Sequence, residues 1–253
     1  MHRWQKQQLR LLLSGFLLSF CLFITLGSWL HPAQAQINQA TVTEVLDGNQ
    51  VFIQGRQAQV NSTAGAGQQV STGSSRAGLR FNNGAAGRLR PNTSLVIGQC
   101  IQIQQGGIVA SGPTNACAGS VRAATRGTTF LMEIDEDGTY DCKVLEGSVA
   151  MTPIDPQNPD QFSHHSEFIL EEGKKVSISK DGEIGQPEAI TLEDIQSILT
   201  GNFFSGFTEQ LPGSGNLQRA LQQLFPGIPL PNLGLPNLGI PSLPIPRIPR
   251  FPL

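Results

Sequence analysis

The groups of this chain best suited to moving a proton or holding a metal near neutral pH are two adjacent histidines, His164 and His165, with Glu167 close behind. A hydrolytic triad needs a serine or cysteine in a nucleophile setting, and a metal site needs ligands at a recognised spacing; neither accompanies them. They read as ordinary residues of a polar loop. Asp135, Asp137 and Asp141 surround Gly138 and raise the question of calcium. The EF-hand pattern needs another Asp or Asn before the glycine and a glutamate beyond it, so a hairpin turn at Asp137-Gly138 is the simpler reading. Gly65, Gly67, Gly73 and Gly78 are turn and bulge glycines with no phosphate-binding helix start after them. The expectation is a protein that is not an enzyme, with no catalytic residue, no metal site and no cofactor.

Arginine carries the remaining chemistry. From Gly48 to Met132 there are seven arginines and no carboxylate, whereas from Glu133 to Asp194 there are sixteen carboxylates and four lysines. One reading is that strands of opposite sign lie together and their charges pair across the sheet. The other is a basic face, made of Arg76, Arg80, Arg88, Arg90, Arg122 and Arg126, that meets an anionic polysaccharide, a lipid headgroup or an acidic partner.

The chain opens with Arg3, Lys6 and Arg10, continues through an apolar run from Leu11 to Leu30 and then offers Ala33-Gln34-Ala35. This reads as a secretory signal peptide, residues 1–35, cut between Ala35 and Gln36. A retained anchor is the rival, because the run is long enough to span a bilayer. Every later apolar stretch is interrupted, so no stable membrane span is expected after cleavage and the location is periplasmic or secreted. Cleavage removes three basic residues, leaving 14 Lys+Arg against 19 Asp+Glu, a balance that argues against nucleic acid as a partner. In an oxidising compartment Cys100, Cys117 and Cys142 cannot all pair within one chain. Cys100 ends a strand and Cys117 sits in the loop that closes it, so that pair is the expected disulfide, worth about 3 kcal/mol by loop length. Cys142 alternates with Tyr140 and Val144 as a small buried residue. On sequence alone the other two pairings stay open.

The elements that must position these groups are short strands. Val, Ile, Thr and Phe runs spaced by Gly, Asn and Asp continue from Ala40 to about Ile184, which predicts an all-β antiparallel sandwich or roll over residues 36–185. Leu79 and Phe81 alternate with Arg80, Asn82-Asn83-Gly84 turns the chain, and Leu89 lies between Arg88 and Arg90: a hairpin wet on one face. Thr128, Phe130, Met132 and Ile134 begin a second hairpin, closed by Glu136-Asp137-Gly138. Val45-Leu46-Asp47-Gly48 and Val144-Leu145-Glu146-Gly147 repeat one device and predict matching hairpin corners, and Phe168 to Ile178 predicts a last hairpin. Residues 186–224 change period. Thr191 with Asp194 is a capping-box-like start for a helix with Leu192, Ile195, Ile198 and Leu199 on one stripe, and Asn216 opens a second with Leu217, Leu221, Leu224 and Phe225. Such short helices need a surface to lie against, and the expectation is that they cover an edge or face of the β domain. Residues 225–253 repeat apolar-Pro-x-apolar-Gly/Pro every five positions, which favours an extended Pro-rich chain acting as spacer or binding tail.

Residues 42–151 resemble the FecR protein domain family. The likeness rests on Thr72-Gly73, Ser75-Arg76-Ala77, Leu79 and Phe81, the Leu89 to Thr93 run with Pro91-Asn92-Thr93, Arg126-Gly127-Thr128 with Phe130, and Val144 to Val149. The resemblance implies an extracytoplasmic β domain that receives a signal through protein contacts, with the matched residues acting as fold determinants. Ten residues precede the apolar run, so a stand-alone domain without the family's cytoplasmic anti-sigma segment is expected. The functional expectation is recognition of an envelope protein, whether receptor, transducer or a second copy, in sensing or signalling. The alternative is a structural or adhesive envelope protein attached to wall polymer or an assembly through its Pro-rich tail.

Overall fold

The structure is a computed structural model that describes residues 36–135, 137–155, 158–162 and 167–227, without the side chains of 155 and 158–162. The expected signal segment with Ala35, Glu136, His164, His165 and the repeat tail beyond Gly227 lie outside the described residues. The chain is all-β with two short helices. Its strands are β1 (Gln39–Leu46), β2 (Val51–Ile53), β3 (Arg56–Gln57), β4 (Thr63–Gly65), β5 (Gln69–Thr72) and β6 (Arg76–Phe81). Next come β7 (Ala86–Leu89), β8 (Ser94–Val96), β9 (Ile101–Gly112), β10 (Asn115–Ala118), β11 (Val121–Ala124) and β12 (Thr128–Ile134). The last are β13 (Tyr140–Glu146), β14 (Ser148–Asp155), β15 (Asn158–Phe162), β16 (Phe168–Glu171), β17 (Lys174–Ile178) and β18 (Glu188–Ala189), followed by α1 (Leu192–Thr200) and α2 (Ser214–Leu224).

Two layers face each other across one apolar core. The upper layer runs β4-β1-β6-β7-β9-β12-β13-β17-β18. The lower runs β3-β2-β5-β8-β9-β10-β11-β14-β16, and β15 adds a short extension on β14. Pairing is antiparallel except between β9 and β10. Strand β9 belongs to both layers: Gln102 to Gln105 pair with β8 below, and Gly106 to Gly112 pair with β12 above. The bend falls at Gly106, whose φ of 78° is left-handed and whose missing Cβ would meet Thr93 Oγ1 at 2.5 Å and Asn92 O at 2.6 Å. Alternate residues of both layers fill the space between them, including Leu79, Phe81, Ile108, Phe130 and Val144 from above and Val70, Leu95, Ile101, Val121 and Met151 from below. Phe81 and Phe130 thus take the core places that the sequence assigns them. The Cys100–Cys117 disulfide, with Cα atoms 5.7 Å apart, ties the start of β9 to β10, and Cys142 is unpaired and buried, its thiol pushed up to about 12 by burial first and by Asp141 second.

Several expected hairpins prove to be corners between layers. β1 ends at Leu46 in the upper layer and β2 begins in the lower, with Asp47 and Gly48 at φ 62° and 132° between them. β13 passes to β14 through Gly147 at φ 83°, and β16 to β17 through Gly173 at φ 73°, each again changing layer. An acidic residue followed by glycine marks a change of sheet here because the positive φ swings the next strand out of the old plane.

The first hairpin, β6–β7, is wet on its outer side only at Arg80, since Arg76 and Arg88 are buried there. The upper layer is buried on both faces, since its outward residues Val109, Leu131 and Leu145 form a second core with Ile190, Ile195, Ile198, Leu199, Phe203, Phe204, Leu211, Leu217 and Leu221. Each such side chain is worth roughly 1.5–3 kcal/mol when fully buried. The helices therefore cover a face. Leu192 departs from the expected stripe and is 45 % exposed, and α2 starts at Ser214, two residues before Asn216, on Gly213 in the left-handed region. Helix α1 has the full capping box: Thr191 Oγ1 accepts from Asp194 N–H, and Asp194 accepts from Thr191 N–H. The same carboxylate also reaches Lys175 of β17 at 2.9 Å and Lys143 of β13 at 3.5 Å, so one side chain caps the helix and fastens it to the sheet. Burial alone would raise its pKa, but Lys175, Thr191 and Lys143 outweigh that and hold it well below the usual carboxylate range. A depressed folded-state pKa gives stability that is present above pH ~3.9 and lost as the pH falls toward the folded value. Asp194→Asn should lower stability by about 1–2 kcal/mol at neutral pH and flatten the fall below pH ~4, as urea unfolding across pH will show.

Candidate functional site

Arg76 of β6 and Arg88 of β7 are 8 % and 4 % exposed, although arginine is almost never buried without a partner. Both point outward from the upper layer into the segment between α1 and α2. Arg88 Nη1 donates to Phe203 O at 3.3 Å and Nη2 to Glu209 O at 2.6 Å, while its guanidinium lies 5.2 Å from the Phe204 ring centre and 4.7 Å from that of Phe207. Arg76 forks onto Asp47 at 2.5 and 3.2 Å, donates to Asn202 O and Ser205 O, and lies 5.4 Å from the same Phe207 ring. Burial lowers the Arg88 pKa to about 10, with the Glu44 charge opposing, so the group stays cationic at neutral pH. Its partners are carbonyl oxygens and aromatic faces, the ligands that a guanidinium can use without a carboxylate. Residues 202–212 thus form a strap clamped onto the sheet. Glu44 accepts from Thr208 N–H and Oγ, Arg80 pairs with Glu209, and Ser111 Oγ donates to Pro212 O. A crevice of about 10 Å³, the room of one water, lies between Glu44, Gly87, Arg88 and Gln210.

The six arginines of the sequence-derived basic face are therefore not one open surface. Arg76, Arg80, Arg88 and Arg90 lie on the upper layer; Arg122 lies on β11 of the lower layer opposite Thr152; Arg126 is exposed in the loop before β12. Arg90 Nε faces Glu133 Oε1 at 3.1 Å, an ion pair in which the N–H is not aimed at the oxygen. Burial raises the Glu133 pKa against the pull of Arg90 and Lys143. The Arg90–Glu133 pair joins the arginine-rich and acid-rich stretches, whereas Arg76 and Arg80 pair with Asp47 and Glu209, which lie outside the acid-rich stretch, and Arg88 is held by stacking and carbonyl donation. The aromatic partners stand in the sequence as Phe203-Phe204-Ser205-Gly206-Phe207, three phenylalanines in five residues, a signal that charge pattern alone does not carry.

The acidic turn is engaged locally: Asp137 Oδ1 accepts from Thr139 N–H and Asp141 accepts from Ser177 Oγ. No group of three metal-ligating side chains assembles among the described residues. Nor is any helix among them long and apolar enough to cross a membrane.

The outer face of the lower layer is open and different in kind. Gln69 and Ser71 of β5, Ser94 and Val96 of β8, and Gln102 and Gln104 of β9 alternate with buried Val70, Leu95, Ile101 and Ile103, and Phe52 of β2 continues the row opposite Ser71. A ladder of neutral hydrogen bonds crosses three strands: Gln69 Nε2 donates to Ser94 Oγ at 2.9 Å and to Gln104 Oε1 at 3.0 Å, and Ser94 Oγ donates to Gln104 Oε1 at 3.1 Å.

No family model matches the chain, and no curated protein matches it. Two crystal structures of a protein of Parabacteroides distasonis ATCC 8503 assigned as an anti-sigma factor, at 1.65 and 2.50 Å, are similar in fold. Each is 12 % identical with a TM-score of 0.42; the first match covers 64 % of this chain and 80 % of that one, the second 62 % and 73 %. Similarity at that level assigns no function.

The clamp makes a sharp prediction. Arg88→Lys keeps the charge but cannot stack on two rings while donating to two carbonyls, so it should cost about 2 kcal/mol or more in urea unfolding and expose the 202–212 backbone to protease. Arg126→Lys, at an exposed loop position, should change neither.

Proposed function

We propose that this chain is a FecR-like extracytoplasmic recognition module that binds another protein of the cell envelope and turns over no substrate. The observation that carries the proposal is where the reactive side chains are spent. Arg76, Arg88, Asp47, Glu44 and Asp194 are all engaged in holding the strap or α1 to the sheet. The residues of the FecR likeness fit a framework role: Arg76 clamps the strap, Phe81 and Phe130 fill the core, and Asn92 turns the chain at φ 55°. The Cys100–Cys117 disulfide favours an oxidising compartment.

The proposed contact is the end of the lower layer. Strand β16 pairs only with β14 among the described residues, leaving its other side with backbone donors and acceptors for an added strand. Ile169 in its centre is 45 % exposed and offers an apolar anchor beside Ala150.

A photoreactive residue placed at 169 should crosslink one discrete protein in intact envelopes, whereas the same residue at equally exposed Leu192 on α1 should not. Excess purified chain should compete the adduct away and Ile169→Asp should fail to compete. Identical labelling from the two positions would refute protein recognition through this edge.

A further inference from the structure

We infer that the amide-lined outer face of the lower layer is a binding surface for a neutral, linear polysaccharide. This goes beyond the protein contact proposed for β16, and it uses different strands. The first ground is charge. The chain carries no Asp, Glu, Lys, Arg or His from residue 57 to 75 or from 91 to 121, and these two stretches supply the outward residues of β5, β8, the lower half of β9 and β10. Surface strands ordinarily carry charge, which keeps sheets soluble and apart. A field without charge neither attracts nor repels an ion, so the complementary partner is uncharged. Anionic wall polymer, lipid headgroups and nucleic acid all need cations that this face lacks.

The second ground is the type of group. Gln69, Gln102, Gln104, Ser71 and Ser94 present amides and hydroxyls, each able both to donate and to accept. The hydroxyls of a sugar have the same dual capacity. A protein partner would call for buried aromatic or arginine anchors at the centre of the patch, and Phe52, at one end, is the aromatic of this face. Phe52 is placed where an apolar sugar face would stack. A second copy of this chain would have to desolvate two amide ladders against each other with little apolar gain.

The third ground is dimension. Rows of outward side chains recur at the strand spacing of about 4.8 Å, comparable to the length of one hexose in an extended glycan, and the five strands from β2 to β10 give a row of roughly 20 Å. The row ends at Arg122 on β11, opposite Cys117, where charge resumes. The ladder Gln69–Ser94–Gln104 fixes the amide orientations beforehand, which lowers the ordering cost of binding.

The test uses the purified chain with hexasaccharides of β-1,4-glucan, β-1,3-glucan and mannan, and with hexagalacturonate as an anionic probe of equal length. At least one neutral sugar should bind with a Kd nearly unchanged when salt rises about tenfold, since no counterions are released. Replacing Gln69, Gln102 and Gln104 together by Ala should weaken it about tenfold or more. Gln104→Ala alone, at an exposed position that opens no cavity, should weaken it measurably even if the triple variant folds poorly. Ile169→Asp should leave sugar binding intact, so this surface and the β16 edge fail or succeed independently. Binding to none of the neutral sugars, preference for hexagalacturonate, or affinity unmoved in Gln104→Ala would overturn the inference. So would a dimer in sedimentation that Gln104→Ala dissolves, because the face would then belong to a second copy.

Discussion

The structure depends on the upper sheet being covered on both faces. Its inner face makes the core of the sandwich, and its outer face carries Val109, Leu131 and Leu145, apolar residues that require a cover. It also carries Arg76 and Arg88, which cannot be buried in hydrocarbon without ligands for their N–H groups. The strap between α1 and α2 meets both demands. Phe203, Phe204 and Leu211 join the outer core, Phe204 and Phe207 lay ring faces on the guanidiniums, and backbone carbonyls of 202, 203, 205 and 209 accept the N–H groups. Without the strap, Val109, Leu131 and Leu145 would face water and Arg88 would lose its carbonyl and ring partners, and without the arginines the strap carbonyls would lose their donors.

Covering one layer determines what the other can do. Arg76, Arg88, Phe204 and Phe207 are engaged in holding the strap, and the proposed recognition therefore uses the lower layer and its edge. That layer is built for another kind of contact. From β5 to β10 its outward residues are neutral, and Gln69, Ser94 and Gln104 are held in place by one another. The contrast between layers follows from the order of charge along the chain, because β9 crosses from one to the other at Gly106 and the uncharged stretch from 91 to 121 is spent mostly below.

Much of the architecture was legible in the sequence, for physical reasons. Period-two alternation in Leu79-Phe81 and Phe130-Met132 specifies strands with one face inward, and Thr191 with Asp194 specifies a helix start whatever it packs against. Loop length and position pointed to Cys100–Cys117. What could not be read was the fate of the outward positions. Arg80 and Arg88 alternate with apolar residues in the same way whether water or a strap lies above them, so a hairpin covered on both sides looks like a wet one. The corners at Gly48, Gly147 and Gly173 have the same ambiguity, since a positive φ after an acidic residue suits a hairpin and a change of sheet alike. The neutral face was written in the sequence as an absence of charge, which motif searching does not weigh.

The claim most open to direct test is that the strap is a permanent part of the fold and not a lid over an arginine site. Native-state hydrogen exchange measures this residue by residue. The account predicts that amides of the strap, Thr208 foremost with its bond to Glu44, exchange only with opening energies close to those of β7 and β9 beneath it. Rapid exchange across 202–212 while β7 and β9 stay protected would contradict it, for the buried arginines would then be exposed to ligands and the upper layer would be the recognition surface.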